Sequence, residues 1–419
     1  MSTPNPDGSL RTSVSLAMIV RNGGQFLDSL LAAAAPCVDE ILIGDTGSSD
    51  DSREVAVRHG ARVLDVPWTD DFAAARNAVL PHCTGRWILI MDADENLCDA
   101  DWLALKDVVA DLDRPDGPRA GRVLTRNYVT DRHGKRGWTP VPDPDDHALG
   151  DPAPAASYVP TTKVRLFPNH PAIRFSGRLH ETVEASLQAQ GIRTVDLIFP
   201  VHHFGLLTDD AAKSRRYLEL ARRKTLDEPH NPAAWGELAD CAVACDASDE
   251  ALAAIDRALI LDPANPALRL TAGALLKSAG RFGQADLQLA AASASGPVSD
   301  DILAEICHLR AQIAMQQDRA PQAANLLAVA LRLGPDNGHY FNTLGAWHLL
   351  MGKGQQAQQA LDRARALLPT NPDPLVNLAR LFQAAGDHPT ARLRLDAALA
   401  LDPEHAGARR LLAEMDAPA

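Results

Sequence analysis

The chain changes its hydrophobic rhythm about halfway along. Between residues 13 and 91, short apolar runs alternate with segments patterned at helical spacing. Ser13–Val20 reads as a strand, Gly24–Ala35 as a helix and Glu40–Gly44 as a second strand. A helix follows the turn Asp45–Asp50 as far as His59, Arg62–Val66 reads as a third strand, and Phe72–Cys83 as a helix. Arg86–Met91 is a fourth strand, and it runs into Asp92-Ala93-Asp94-Glu95. This alternation predicts a parallel-type central sheet with ligands outside the carboxyl ends of its strands. Farther along, Ala172–Phe175 has a strand pattern. Thr139–Pro160, rich in proline and aspartate, reads as an irregular loop that could cover the site.

The second half is helical throughout and periodic. Pro229, Pro263, Pro297, Pro335, Pro369 and Pro403 recur every 34 residues, except for one interval of 38 between Pro297 and Pro335. The final units agree at many offsets: Leu344, Gly345, Gly352, Ala357, Ala364 and Pro369 correspond to Leu378, Ala379, Gly386, Ala391, Ala398 and Pro403. Small residues let two antiparallel helices approach, glycine ends the first helix, and proline stops the second. Asp246 stands where an early unit should have its turn glycine, and the four-residue excess is expected in the loop Ser293–Asp301. A 34-residue helical period is the tetratricopeptide signature, and about five units stack here into an α-solenoid. Such arrays offer a groove for a partner protein, an acceptor or a second copy in a homodimer.

Candidate chemistry lies at the strand ends. Asp45 offers an acceptor to a base or ribose, Gly47 permits the tight turn, and Ser48 or Ser49 can cap the next helix. Asp92 and Asp94 alternate on an extended segment, so both can face one cleft. Paired carboxylates repel unless a proton or cation separates them. Mg²⁺ or Mn²⁺ would satisfy them and accept diphosphate oxygens on its open positions. On these residues alone, a plain helix cap at Asp45 and a solvated acidic loop at Asp92–Glu95 remain open alternatives.

Charge and composition narrow the field. The net charge of −13 is spread over both halves, so neither half offers a basic face to nucleic acid. No apolar run reaches the roughly 18 residues of a membrane span. Met1–Ser9 carries no signal-peptide pattern, so residues 1–12 are expected to be a disordered tail and the compartment cytoplasmic. The six cysteines match no Cys-x-x-Cys metal or redox spacing.

VSLAMIVRN at residues 14–22, IGDTGSSDDS at 43–52, FAAARN at 72–77 and ILIMDADE at 88–95 resemble, in this order, the family 2 glycosyltransferases. RFSGRLHETV at 174–183, HHFG at 202–205 and KSRRYLELARRK at 213–224 resemble a bacterial subgroup that often carries tetratricopeptide repeats. The resemblance implies the nucleotide-sugar-binding fold called GT-A over residues 13–208, a connecting helix at 209–228 and the repeats at 229–419. It also implies inverting, metal-dependent sugar transfer from a nucleoside-diphosphate sugar. By the same resemblance, Asp45 contacts the nucleobase, usually uracil, while Arg76 and its neighbour Asn77 lie near base and phosphates. Asp92 sits near the ribose and the metal, Asp94 ligates the metal, and His203 closes the metal-diphosphate site. Glu181 stands where the acceptor-side catalytic base is expected, with Glu95 as its rival. Related sequences often have Asn-Glu after the first strand, whereas Gly23 follows Asn22 here.

Two features are discounted. His180-Glu181-x-x-Glu184 lacks the second histidine of a zinc-protease helix. His202 and His203, adjacent on an extended segment, must face opposite ways, so one alone can reach a site. Lys213 or Arg216 could contact a phosphate, or their helix could simply dock on acidic loops. A scaffold with a relict nucleotide domain is the rival from a non-enzymatic class, and a nucleotidyltransferase would bring a Gly-rich loop with a following Arg and Lys, which does not follow Val20 here.

Overall fold

The computed structural model describes residues 13–114, 116–129, 139–140, 157–205 and 211–416. The segments 1–12 and 141–156, expected to be a tail and part of a loop, lie outside them. Two compact units divide between Lys224 and Thr225.

The first unit is built on β1 (Val14–Val20), whose residues Val14, Leu16, Ala17 and Met18 are at most 1% exposed. A strand apolar on both faces must be covered on both, and helices do this. β2 (Glu40–Asp45), β3 (Arg62–Asp65) and β4 (Trp87–Ile90) join it in parallel. α1 (Gly24–Ala34), α2 (Ser52–Arg58) and α4 (Asp99–Leu112) pack on one face, and α3 (Phe72–Val79) on the other. Beyond β4 the sheet becomes mixed. β5 (Glu95–Asn96), β7 (Gly117–Val129), β9 (Ser157–Pro168) and β10 (Arg193–His203) extend it in the order β3-β2-β1-β4-β9-β7-β10-β5. The two-residue strands β6 (Asp113–Arg114) and β8 (Thr139–Pro140) attach to β7 and β9. α5 (Glu184–Ala189) precedes β10, and α6 (Ala211–Asp227) follows it.

Three expectations need correction. The helix after Phe72 ends at Val79 and continues as a 3-10 turn, Leu80–His82, because Pro81 has no N–H to carry the α-helical ladder on. Both ends of the expected loop Thr139–Pro160 are strand, in β8 and β9. Ala172–Phe175 is not a strand. Its backbone is satisfied by side chains instead, Phe175 by Asn77 and Arg174 by Ser186.

The second unit is five antiparallel helix pairs and a final helix. The pairs are α7 (Pro232–Ala244) with α8 (Ser248–Leu261), α9 (Pro266–Ser278) with α10 (Phe282–Ala294), and α11 (Asp300–Gln316) with α12 (Ala320–Leu333). α13 (Gly338–Leu350) with α14 (Gly354–Leu367) and α15 (Asp373–Ala384) with α16 (His388–Leu401) follow, and α17 (Ala406–Asp416) ends the array. Asn231, Asn265 and Asn337 cap the first helices of their pairs. The turn inside every pair passes through one left-handed residue: Asp246, Gly280, Asp318, Gly352 or Gly386, with φ between 56° and 79°. Aspartate can replace glycine at Asp246 and Asp318 because its short polar side chain tolerates that region.

The extra four residues are not in the Ser293–Asp301 loop. They lengthen α11 to 17 residues, against 13 for α7, α9 and α13. Four residues add close to one helical turn, so the apolar face keeps its direction. Within each pair the contact is made by small residues. Ala251, Ala258, Ala285, Ala292, Ala323, Ala330, Ala357, Ala364, Ala391 and Ala398 are fully buried. A Cβ on Gly345 would lie 2.5 Å from the buried Leu361. Gly345→Val is therefore expected to destabilise the repeat unit by about 1–3 kcal/mol, read as a lower urea midpoint of the full chain. An unchanged midpoint would show that α13 and α14 can part without cost.

Candidate active site

The carboxyl ends of β1, β2 and β4 carry three linked loops. Asn22 adopts a left-handed backbone (φ 55°), accepts Ser49 N–H on its Oδ1 at 2.8 Å, and donates its own N–H to Ser48 Oγ at 3.0 Å. Gly23 lies against the aspartate motif, where a Cβ would come within 2.7 Å of the Ala93 Cβ. The side chain usual in related sequences would displace that segment. Asp45, buried at the end of β2, accepts Ser48 N–H at 3.0 Å and Arg53 at 2.7 Å. Burial alone would raise its pKa, but the Ser48 and Arg53 hydrogen bonds outweigh burial and hold it below the usual range.

Arg76 is the hub. It is 5% exposed on α3, its Nε donates to Glu181 Oε1 at 2.5 Å, and its NH2 donates to Asp92 Oδ1 at 2.6 Å. Burial opposes ionisation of Asp92, but Arg76 and then Arg165 overcome it and depress its pKa far below the carboxylate range. Arg165, 2% exposed on β9, also binds Glu95, whose other oxygen accepts Asp92 N–H at 2.8 Å. Glu95 is thus locked at both oxygens. Burial, with the charge of Asp92 behind it, pushes its pKa up against the pull of Arg165.

Glu181 is delivered by a closed loop. Ser176 and Thr182 exchange two backbone hydrogen bonds, Gly177 (φ 96°) and His180 (φ 53°) turn the chain left-handed, and Phe72 N–H reaches Arg178 O at 3.0 Å. The buried Lys224 of α6 donates to Leu179 O at 2.9 Å. Asn77 differs from its expected place beside the nucleotide. It spends both ends of its amide on the Phe175 backbone, at 2.9 Å each, and so anchors the segment that leads into this loop.

Asp94 and His203 meet through the sheet. β5 pairs with β10 so that His203 stands opposite Glu95, and Phe204 N–H binds Asp94 O at 2.9 Å. His203 Nε2 then lies 3.3 Å from Asp94 Oδ2. Asn127 Nδ2 donates to Val159 O, which leaves Asn127 Oδ1 to accept His203 Nδ1–H at 2.7 Å. In neutral imidazole this tautomer turns the Nε2 lone pair toward a carboxylate. Two acceptors so close need a proton or a cation, and the pair suits a divalent ion with open positions. Burial resists protonation of His203, but the hydrogen bond and charge of Asp94, then Glu95 and Asp92, raise its pKa. Asp92, expected as a further metal ligand, is committed to the guanidiniums, and among the described residues no three His, Cys, Asp or Glu side chains gather as a ligand cluster. His202 is fully buried beneath the site against Tyr128.

Asn127 and Arg165 were missed in the sequence. Arg165 left one signal, a charge inside the apolar run Val164–Phe167, and Asn127 left none. Tyr217 of α6 was also missed. Its phenol is pushed up to about 12, first by burial and then by Asp92 and Asp94, so α6 faces the carboxylates. On the same helix Arg216 lies 5.1 Å over the Trp68 ring and Arg223 pairs with Asp70, so α6 docks through its cations.

The model of Glycosyl transferase family 2 matches residues 15–133. That region is similar to the family 2 glycosyltransferases. The model of the tetratricopeptide repeat matches residues 348–415. A TPR repeat-containing protein of Synechococcus elongatus is 36% identical over 183 residues, covering 43% of this chain and 38% of that protein. An uncharacterized glycosyltransferase of Rickettsia conorii is 28% identical over 89 residues, covering 21% of this chain and 31% of its own. The chain thus spans less than two fifths of the length of these curated relatives. Among solved structures, the APC/C hetero-tetramer Cut9-Hcn1 aligns with a TM-score of 0.43 at 18% identity, over 49% of this chain and 40% of that one. No helix among the described residues is long and apolar enough to cross a membrane.

One glycine lets Asp94 approach His203. A Cβ on Gly205 would lie 1.9 Å from Asp94 Oδ2 and 2.8 Å from His203 Nε2. Because the obstacle is the tip of a side chain, Gly205→Ala is expected to move Asp94 rather than unfold the domain. The melting temperature should change little while stabilisation by UDP with Mn²⁺ is lost. Full retention of that stabilisation would mean that Asp94 is not needed at the site. Asn77→Ala, by contrast, should lower stability by about 1–3 kcal/mol, measured by denaturant unfolding, and a neutral result would remove its anchoring role.

Proposed function

We propose that the chain is an inverting glycosyltransferase that moves a sugar from a UDP-sugar to an acceptor nucleophile on a glycan, peptide or secondary metabolite. The observation that carries this reading is the buried Arg76 joined to both Asp92 and Glu181, beside the Asp94–His203 pair. Asp45 would receive the nucleobase and Asp92 the ribose side of the donor. Asp94 and His203 would hold Mn²⁺ or Mg²⁺, with the ring nitrogen favouring Mn²⁺. A bound ion supplies charge neutralisation for the departing diphosphate.

The protein's own groups do the remaining work. Arg76 keeps a fixed positive charge among the carboxylates at no cost in reorganisation. Glu181 has one oxygen on the Arg76 Nε–H, and its other oxygen makes no hydrogen bond among the described residues. That oxygen would take the proton of the acceptor nucleophile. Glu95, the rival base, has both oxygens engaged. The repeats would hold the acceptor, a partner protein or a second copy of the chain.

Donor hydrolysis across UDP-, GDP- and dTDP-sugars with Mn²⁺ or Mg²⁺ tests the activity. Turnover of a UDP-sugar supports it, while no turnover and no melting shift with UDP would favour a non-catalytic scaffold. Asp94→Asn should lose activity by orders of magnitude with the fold intact. Glu181→Gln, which can still accept from Arg76, should keep UDP affinity and lose transfer by roughly 10²–10⁴-fold. If Glu95→Gln alone loses transfer, Glu181 has only a structural role.

A further inference from the structure

We propose that the cleft between α14 and α16 is a docking site for an acidic peptide whose carboxylates stand next to aliphatic side chains. The inference concerns the repeat array alone and does not depend on the sugar-transfer reading. α14, the start of α15 and α16 enclose a cleft of about 360 Å³, whose lining includes Arg365, Pro369, Leu375, Arg394, Ala397 and Leu401. The preceding step of the array, from α12 to α13 and α14, shows what fills such a space. Thirty-four residues earlier, Phe341 stands at the place of Leu375 and Arg363 at that of Ala397. The Arg363 guanidinium lies 5.9 Å from the Phe341 ring centroid and is held by Asp336 at 3.1 Å. At the α14–α16 step the ring and the stacked cation are gone, and Thr370 stands where the tether Asp336 should be. The cleft is the space that these three replacements leave.

The same step gains two cations. Arg365 and Arg394 occupy the places held by Leu331 and Ala360 one unit earlier. Two residues before them on their helices, Arg363 and Arg392 pair with Asp336 and Asp416. Arg365 and Arg394 pair with no carboxylate among the described residues. The Arg394 guanidinium lies 6.0 Å from the Phe382 ring centroid, and its Nε is buried without a hydrogen bond. A buried donor left unmade is costly, so an external acceptor gains by supplying the bond. Guanidinium forks take carboxylates in bidentate fashion, and Pro369, Leu375 and Leu401 offer apolar contact beside them. Arg365, Pro369 and Ala397 are exposed, so the cleft covers one side of its occupant. A segment of polypeptide lying across two helices fits this, whereas a small-molecule pocket encloses most of its ligand.

Fluorescence anisotropy of a dye-labelled Leu-Asp-Gly-Leu-Asp peptide, titrated with the full chain, tests this. Wild type should bind it at least about tenfold more tightly than the neutral Leu-Asn-Gly-Leu-Asn peptide. Arg365→Gln with Arg394→Gln should abolish that preference. Thr370→Asp, Leu375→Phe and Ala397→Arg together restore the residues of the preceding step. They should close the cleft and weaken the acidic peptide at least about tenfold, with the urea midpoint unchanged. If wild type does not distinguish the two peptides, binds neither at millimolar concentration, or keeps its preference in the double glutamine variant, the assignment is overturned. Binding of decanoate without binding of the peptide would mark a lipid site and overturn it equally. None of these outcomes bears on donor hydrolysis, so the sugar-transfer reading stands or falls separately.

Discussion

A buried arginine is costly unless its charge is matched, and Arg76 is matched twice. Its partners come from places far apart in the chain, Asp92 at the end of β4 and Glu181 105 residues beyond Arg76. Removing either carboxylate would leave a guanidinium in the interior with half its compensation. The loop carrying Glu181 is accordingly tied from every side: by Ser176 to Thr182, by Phe72 to Arg178, and by Lys224 to Leu179. α3, the strand tip and α6 therefore share one constraint.

A second chain of control runs from Asn127 to His203 to Asp94. Asn127 chooses the imidazole tautomer, the β5–β10 pairing sets the height of the ring, and the missing Cβ of Gly205 allows the carboxylate in. None of these groups needs to touch a substrate to matter. They determine that an acceptor nitrogen and an acceptor oxygen converge, an arrangement that is stable only with a proton or cation between them.

The repeat array reaches its order by simpler means. Its pairs are joined through alanine and glycine, which allow the backbones close together, and every pair turns through one left-handed residue. Where four residues were added, they entered α11 as helix, because a whole turn preserves the direction of the buried face.

The sequence by itself determined the local elements and their order. Apolar runs marked the first four strands to within a residue or two, and the proline period marked the repeats, since both signals come from short-range patterning. It also singled out Asp45, Arg76, Asp92, Asp94, Glu181 and His203, through local motifs in a familiar order. Only the tertiary structure decided what those residues do with one another. Asp92 turned to Arg76 and Arg165 instead of joining Asp94 because two buried guanidiniums demand a carboxylate more strongly than an open turn does. Asn77 turned to the Phe175 backbone because that segment forms no strand and its polar groups needed partners. Asn127, Arg165 and Tyr217 could not be found in advance, because their importance comes from mixed-sheet pairing and α6 packing that no local pattern encodes.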